Sequence, residues 1–350
     1  MTLQETIAAI GPLDKKAEEL CMEHWDALAK PLRSLGKFET CLAQIAGIQR
    51  NPKIDIEKKG LIVMCADNGV VVEGVTQTGQ EVTAQVAENF AEEKKATTTI
   101  LCRKAGADIF PIDIGVYRDT KIRNCKIAYG TKNLYKEPAM TREEAIRALE
   151  TGINLAAEKK EEGYKLLAVG EMGIGNTTTS SAVASVLMHR PVEEMTGRGA
   201  GLSSSGLARK IEVIQHAIEL HQPDPEDAID VLAKVGGLDI AGMAGVFLGG
   251  AACRIPVVID GFIAGVAALV AQRICPACGD YMIASHISQE PATKQVLAEL
   301  GKEAFINADM HLGEGSGAVM LFPFLDMAAE VYFNMATFQE NDIENYVPLD

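Results

Sequence analysis

The sequence predicts an α/β protein built on a doubly wound, Rossmann-like parallel sheet, with a small helical domain made from both termini. Three observations predict it. Short apolar runs bounded by glycine recur along the chain without the alternation of a half-exposed strand. Amphipathic segments of helical length separate those runs, which is the pattern of βαβ units. Both ends of the chain read as helical and hold no convincing strand.

Taken in order, residues 3–30 read as helical, with Pro12 near the start. The first strand candidate is 61–66 (LIVMCA), and segment 81–105 follows as helix, with Val82, Val86, Phe90, Ile100 and Leu101 apolar. The second strand is 108–114. Segment 141–162 opens with Thr141 and Glu144 in capping-box spacing and places Ala145, Leu149, Ile153 and Ala156 along one face. The third strand is 165–169, the fourth is 255–260, and 317–340 is helical with an interruption at Pro323. The domain boundaries follow: 31–315 for the sheet domain, and 1–30 with 316–350 for the helical one.

The chain has 350 residues, 47% of them hydrophobic, enough for a sizeable core. Its 33 basic and 48 acidic side chains leave a formal net charge of −15, which argues against nucleic acid or an anionic membrane as partner. No stretch approaches the roughly 18 consecutive apolar residues of a membrane span. The start, MTLQETIAAIGPLDKK, lacks a basic region and a cleavage site, and eight scattered cysteines suggest reduced thiols, so a cytoplasmic location is expected. Cys275 and Cys278, in CPAC, have metal-like spacing without a second pair, so no metal is expected.

Ligands of open parallel sheets bind beyond the strands' carboxyl ends, which directs attention to Asp67 after the first strand, Asp260 after the fourth, and the loop after the third. That loop reads VGEMGIGNTTTSSAV. Gly173 and Gly175 let backbone N–H groups face an oxyanion, and Asn176 and Thr177 open a helix whose dipole favours phosphate. The same residues also suit an ordinary strand-to-helix turn. A second candidate, GRGAGLSSSGLARK (197–210), offers Gly199, Ser203 and the cation Lys210 for a phosphate or ribose, or is a flexible lead into helix 206–220. In LGEGSGA (312–318), Glu314 is either a carboxylate held by a helix dipole or a general base on a compact turn beside Leu312 and Gly313. Glu171 raises the same question, and His286 and Ser288 (SHIS) have no partner identifiable from sequence. Without GxGxxG, GxSxG or HExxH, neither dinucleotide-dependent oxidoreductase, serine hydrolase nor zincin chemistry has support.

With these residues assembled, the chain resembles the CobT-type nicotinate-nucleotide:dimethylbenzimidazole phosphoribosyltransferases. The resemblance rests on PLRSLGKFETCLAQIAGIQ (31–49), MCADNGVVVEGV (64–75), VGEMGIGNTTTSSA (169–182), DVLAKVGGLDIAGMAGVFLGGAA (230–252), PVVIDGF (256–262) and LGEGSGA (312–318), in family order. It implies transfer of phosphoribose from nicotinate mononucleotide to an aromatic lower-ligand base, with inversion at the anomeric carbon, release of nicotinate and no cofactor. It assigns Glu314 as general base and Glu171 as its assistant in the pocket. Gly173, Gly175, Asn176, Thr177, Gly199, Ser203 and Lys210 would hold the nucleotide, with Asp67, Asp260, Ser288, Leu312 and Gly313 as further substrate contacts and Thr78 and Val86 on the acceptor wall. A homodimer is implied, or a heterodimer with a similar chain. Asn68, Thr78-Gly79 and Val86 depart from the family pattern at the acceptor, so an acceptor range reaching phenol or p-cresol is expected alongside dimethylbenzimidazole. The rival reading is a non-catalytic nucleotide-binding partner subunit, against which the presence of both Glu171 and Glu314 argues.

Overall fold

The computed structural model describes residues 1–92 and 95–346. Its frame is a six-stranded parallel sheet: β1 (Lys59–Ala66), β2 (Ala107–Gly115), β3 (Arg123–Asn124), β4 (Leu166–Met172), β5 (Val257–Ile259) and β6 (Met282–Ala284), in the spatial order β3-β2-β1-β4-β5-β6. A separate two-stranded parallel ladder joins β7 (His286–Ser288) to β8 (Ile306–Met310).

The apolar runs make central strands because each strand feeds two cores. In β1, Ile62, Met64 and Ala66 pack into one hydrophobic cluster while Leu61, Val63 and Cys65 pack into the other. β4 divides in the same way, with Leu167 and Val169 on one side and Leu166 and Ala168 on the other. A strand with period two and helices on both faces has no polar position, so the alternation of a half-exposed strand disappears. Helices Arg142–Glu161, Leu238–Ala252 and Gly261–Ile274 cover the first face, and Lys37–Gln49, Thr97–Ala105 and Ser316–Asn334 cover the second.

Several expectations change in detail. Segment 81–105 is two helices, Glu81–Asn89 and Thr97–Ala105, rather than one, and part of it (93–94) lies outside the described residues. The fourth strand is only Val257–Ile259, and the sequence reading contained no β3, β6, β7 or β8. These are two to five residues long, and β8 is half polar, so none carries a periodicity of its own.

At the N-terminus, Pro12 lies between two helices, Leu3–Ala9 and Lys15–Ala27, the second capped by Asp14. Pro323 is accommodated inside Ser316–Asn334 without ending it. The two ends of the chain meet: Ala29 N–H donates to Ala336 O and Phe338 N–H to Ala27 O, both at 3.0 Å, while Trp25 meets the Tyr332 ring edge to face. Ser316–Asn334 is the one described helix with the length and apolarity to cross a bilayer. Its composition has a local cause. Leu321, Phe322 and Leu325 pack into the core, while Met320, Phe324 and Met327 form a second, outward stripe.

Candidate active site

The strand order reverses direction between β1 and β4, and a cavity of about 360 Å³ opens beyond their carboxyl ends. This is where a doubly wound sheet leaves a crevice. The cavity collects residues from distant parts of the chain: Thr78 and Val86, Glu171, Gly173, Asn176 and Thr177, Gly199, Asp260, Ser288, and Leu312, Gly313 and Glu314. Helix Asn176–Leu187 starts here without a side-chain cap; Asn176 N–H donates to Gly173 O and Thr178 N–H to Gly175 O, while Asn176 and Thr177 of its first turn line the cavity.

Four of the residues singled out in the sequence do not reach the wall. Asp67 is fully buried and accepts Tyr117 N–H at 2.9 Å, bracing the loop after β2. Gly175 lies at φ 94° as the N-cap of Asn176–Leu187, where a side chain would strike Val71 and Asn68. Ser203 is spent as the N-cap of Ser204–His221, accepting Gly206 N–H at 3.1 Å. Lys210 stands one layer behind: its Nζ donates to Thr177 Oγ1 at 2.8 Å and to Gly197 O at 3.1 Å, and burial brings its pKa down to about 8. Asn68 is also displaced from its expected place. It is buried behind the 173–175 turn, with its amide 3.5 Å from Ile174 O, so only Thr78 and Val86 of the acceptor-wall positions face the cavity.

Asp260 is placed differently from a substrate contact. Its carboxylate accepts N–H groups from Gly315 at 2.9 Å, Gly317 at 2.8 Å and Ala318 at 3.0 Å, capping helix Ser316–Asn334. The cap holds the turn in which Glu314 adopts φ 62° between Gly313 and Gly315. Gly170 of β4 completes the fit, because a Cβ there would lie 2.6 Å from the carbonyl group of Glu314. Glu314 thus stands at the mouth of a turn braced from two strands, with Oε2 accepting the Thr98 hydroxyl at 3.1 Å.

Glu171 is the deeper carboxyl. Asn176 Nδ2 donates both to it and, at 3.2 Å, to Asp239 Oδ2. Burial, with the nearby Asp239 adding to it, pushes Glu171 up to about 8. Burial likewise pushes Asp239 up to about 6, opposed by the Asn176 amide. Burial raises Glu314 as well, and the Thr98 hydroxyl opposes it. Among the described residues, no lysine or arginine lines this cavity.

Sequence reasoning missed Thr98, Asp239, Glu290 and His311, and left His286 unpartnered. His286 lines the cavity with Nδ1 2.9 Å from Ser285 Oγ and 3.8 Å from Asp260 Oδ1. Thr98 and Asp239 sit inside ordinary helical segments, and no local pattern marks them. The ladder of β7 and β8, too short to read, brings His286 and Ser288 to the turn of Glu314.

Fold and site together define a class: an α/β enzyme whose cleft at the strands' carboxyl ends joins an uncapped helix N-terminus to one buried and one half-buried carboxyl group. The chain belongs to the phosphoribosyltransferase family whose sequence model matches residues 10–343. The nicotinate-nucleotide–dimethylbenzimidazole phosphoribosyltransferase of Ruminiclostridium cellulolyticum is 47% identical over 353 residues, covering 100% of both chains. The protein of that name from Acetivibrio thermocellus is 47% identical over 349 residues and 99% of each. The solved structure of CobT from Thermus thermophilus superposes with a TM-score of 0.89 at 36% identity, over 95% of this chain and 100% of that one.

The raised Glu171 has a consequence for stability. An unfolded Glu titrates near ~4.3, so between that value and about 8 the folded state binds more protons than the unfolded one. Stability is therefore full at low pH and falls as pH rises through this window. The melting temperature of the wild-type chain is expected to drop from about pH 5 to about pH 8, and that of Glu171→Gln to drop less. Such melting curves, measured side by side, would show Glu171 protonated in the folded state across this window, and an equal drop in both proteins would show it ionised.

Proposed function

We propose that this chain transfers the phosphoribosyl group of nicotinate mononucleotide to 5,6-dimethylbenzimidazole, giving the α-ribotide and nicotinate for cobamide biosynthesis. The observation that carries the reading is the convergence of Glu314 and the uncapped first turn of Asn176–Leu187 on one cavity. The names of the relatives at 47% identity support it. So do Val82, Val86, Ile174 and Leu312 on the cavity wall, which offer apolar contact to a flat bicyclic ring. With Asn68 behind the wall, one of the three departures that pointed to a phenolic acceptor no longer bears on it, and the relatives are named for dimethylbenzimidazole.

The chemistry follows from charge. One nitrogen of the neutral base attacks the anomeric carbon while its other N–H gives its proton to Glu314. The bond to the pyridinium nitrogen breaks on the opposite face, and its electron pair leaves with nicotinate, which needs no proton. Inversion follows from this alignment, which the walls must impose. The nucleotide brings a phosphate and a carboxylate into a cavity whose wall, among the described residues, holds no lysine or arginine. A protonated Glu171 suits that load, because it donates a hydrogen bond without adding negative charge. In this scheme Asn176, Thr177, Gly173 and Gly199 hold the phosphate, Lys210 acts on it through Thr177, and no cofactor takes part.

The working unit we infer is a homodimer. The outward stripe of Met320, Phe324 and Met327 is 42–57% exposed and lies on the helix that begins two residues after Glu314. A second copy seated there would flank the cavity. The paired termini act as the small helical domain that carries this surface, and the free cysteines, all buried or half-buried, fit a reducing cytoplasm.

Four measurements check these roles. Mass spectrometry of the pure chain with nicotinate mononucleotide and dimethylbenzimidazole is expected to find the α-ribotide and nicotinate. Glu314→Gln should lower kcat by roughly 10²–10⁴-fold and leave nucleotide binding nearly unchanged; retention of most activity would remove Glu314 as the base. Lys210→Ala should raise KM for the nucleotide about tenfold or more, the scale of a lost charged contact, and an unchanged KM would place the phosphate elsewhere. By light scattering, the wild-type chain should have twice the mass of Phe324→Glu/Met327→Glu; equal masses would put the interface on another surface.

A further inference from the structure

The turn around Glu314 fixes its main chain, since Gly313, Glu314 and Gly315 all hold positive φ and Asp260 caps the helix that follows. It does not fix the side chain. A glutamate has three rotatable bonds, and from a fixed Cα its carboxylate sweeps several ångströms. A base must meet its proton within hydrogen-bond reach, so something has to select one rotamer. Among the described residues one side-chain contact does so: Thr98 Oγ1 donates to Glu314 Oε2 at 3.1 Å. Thr98 is fully buried in the first turn of Thr97–Ala105, a helix end without a side-chain cap, where negative charge is favoured.

We propose that Thr98 is a positioning residue for Glu314: its hydroxyl ties down Oε2, leaves Oε1 to face the acceptor, and keeps the carboxylate in the form that takes a proton. The proposal rests on the role given to Glu314 above. The surroundings make such a donor necessary. Glu171 faces the cavity from β4, Asp260 from the end of β5, His286 and Glu290 from β7 and the loop after it, and His311 from the turn itself. None of these is a lysine or arginine, and the carboxyl groups oppose ionisation of one another. Burial raises the Glu314 pKa, the Thr98 hydroxyl lowers it, and Asp260 raises it again. The hydroxyl is therefore the identified contact favouring the charged base.

The test removes the hydroxyl while keeping the volume. Carbon-13 NMR of glutamate-labelled protein, with the Glu314 carboxyl signal assigned from Glu314→Gln, is recorded across pH for wild type, Thr98→Val and Thr98→Ser. In Thr98→Val the signal is expected to titrate about one pH unit higher, with kcat at neutral pH about tenfold lower, as for a lost hydrogen bond to a charged group. Thr98→Ser should restore both to within about twofold. In a Glu314→Gln background, Thr98→Val should cause no further loss, because the partner is already gone. An unchanged titration in Thr98→Val, or the same tenfold loss in the Glu314→Gln background, would overturn the proposal. A wild type whose Glu314 signal responds to Thr98→Val but which transfers no phosphoribose would overturn the reaction assigned above and leave the pairing standing.

Discussion

The structure depends most on one buried carboxylate, Asp260. It accepts three backbone N–H groups from the turn at 315–318, each between 2.8 and 3.0 Å. Burial raises its pKa, and the three N–H groups, together with His286, act in the other direction. A buried carboxyl is costly unless fully bonded, and here the start of the last helix supplies the bonds. The result is a rigid link between the end of β5 and the start of Ser316–Asn334. Everything near Glu314 is placed by that link: its turn, the ladder of β7 and β8 beside it, and the outward stripe of the same helix.

Close approach does the rest. Gly170 brings β4 against the main chain of Glu314, and Gly313 brings the turn against Glu171, where a Cβ would lie 2.5 Å from Oε1. Glu171 is consequently held by a strand, and Glu314 by a turn clamped between that strand and the capped helix. They sit in different environments. Glu171 is enclosed and shares an amide with Asp239, which favours its neutral form, whereas Glu314 is half-buried and bonded to a hydroxyl. Such divergence of environment is how a site assigns opposite tasks to chemically identical groups.

Much of this was legible in the sequence, for stated reasons. Strands buried on both faces lose their alternation, so β1, β2 and β4 announced themselves as apolar runs and implied the parallel sheet. Glycines at strand ends marked where backbone must approach closely, and they led to Glu171, Asn176, Thr177, Gly313 and Glu314, all of which line the cavity. What could not be read was the direction of side chains after a strand ends. Asp67, Asn68 and Asp260 occupy similar positions beyond strands, yet only Asp260 lines the cavity, because the others are claimed by the loop at Tyr117 and by the 173–175 turn. Thr98 was invisible for a related reason: a threonine in a helix is unremarkable until a residue 216 positions away is folded against it.

The position of Lys210 shows how the electrostatics of the site are arranged. A cation on the cavity wall would pair with Glu171 or Glu314 in the absence of substrate, ionising the first and competing with acceptor for the second. Behind Thr177, Lys210 is kept from both by the hydroxyl and by the carbonyl of Gly197. Gly199 bears no side chain, and a Cβ there would lie 2.9 Å from Thr177 Oγ1 and 3.6 Å from Lys210 Nζ, so the loop can lie close over both. In the proposed scheme the positive field reaches a phosphate through one hydroxyl, and Lys210 forms its hydrogen bonds with Thr177 and Gly197 rather than with Glu171 or Glu314. Under that scheme, setting the charge one layer back is what would let an acidic pocket take an anionic nucleotide and still keep a free base.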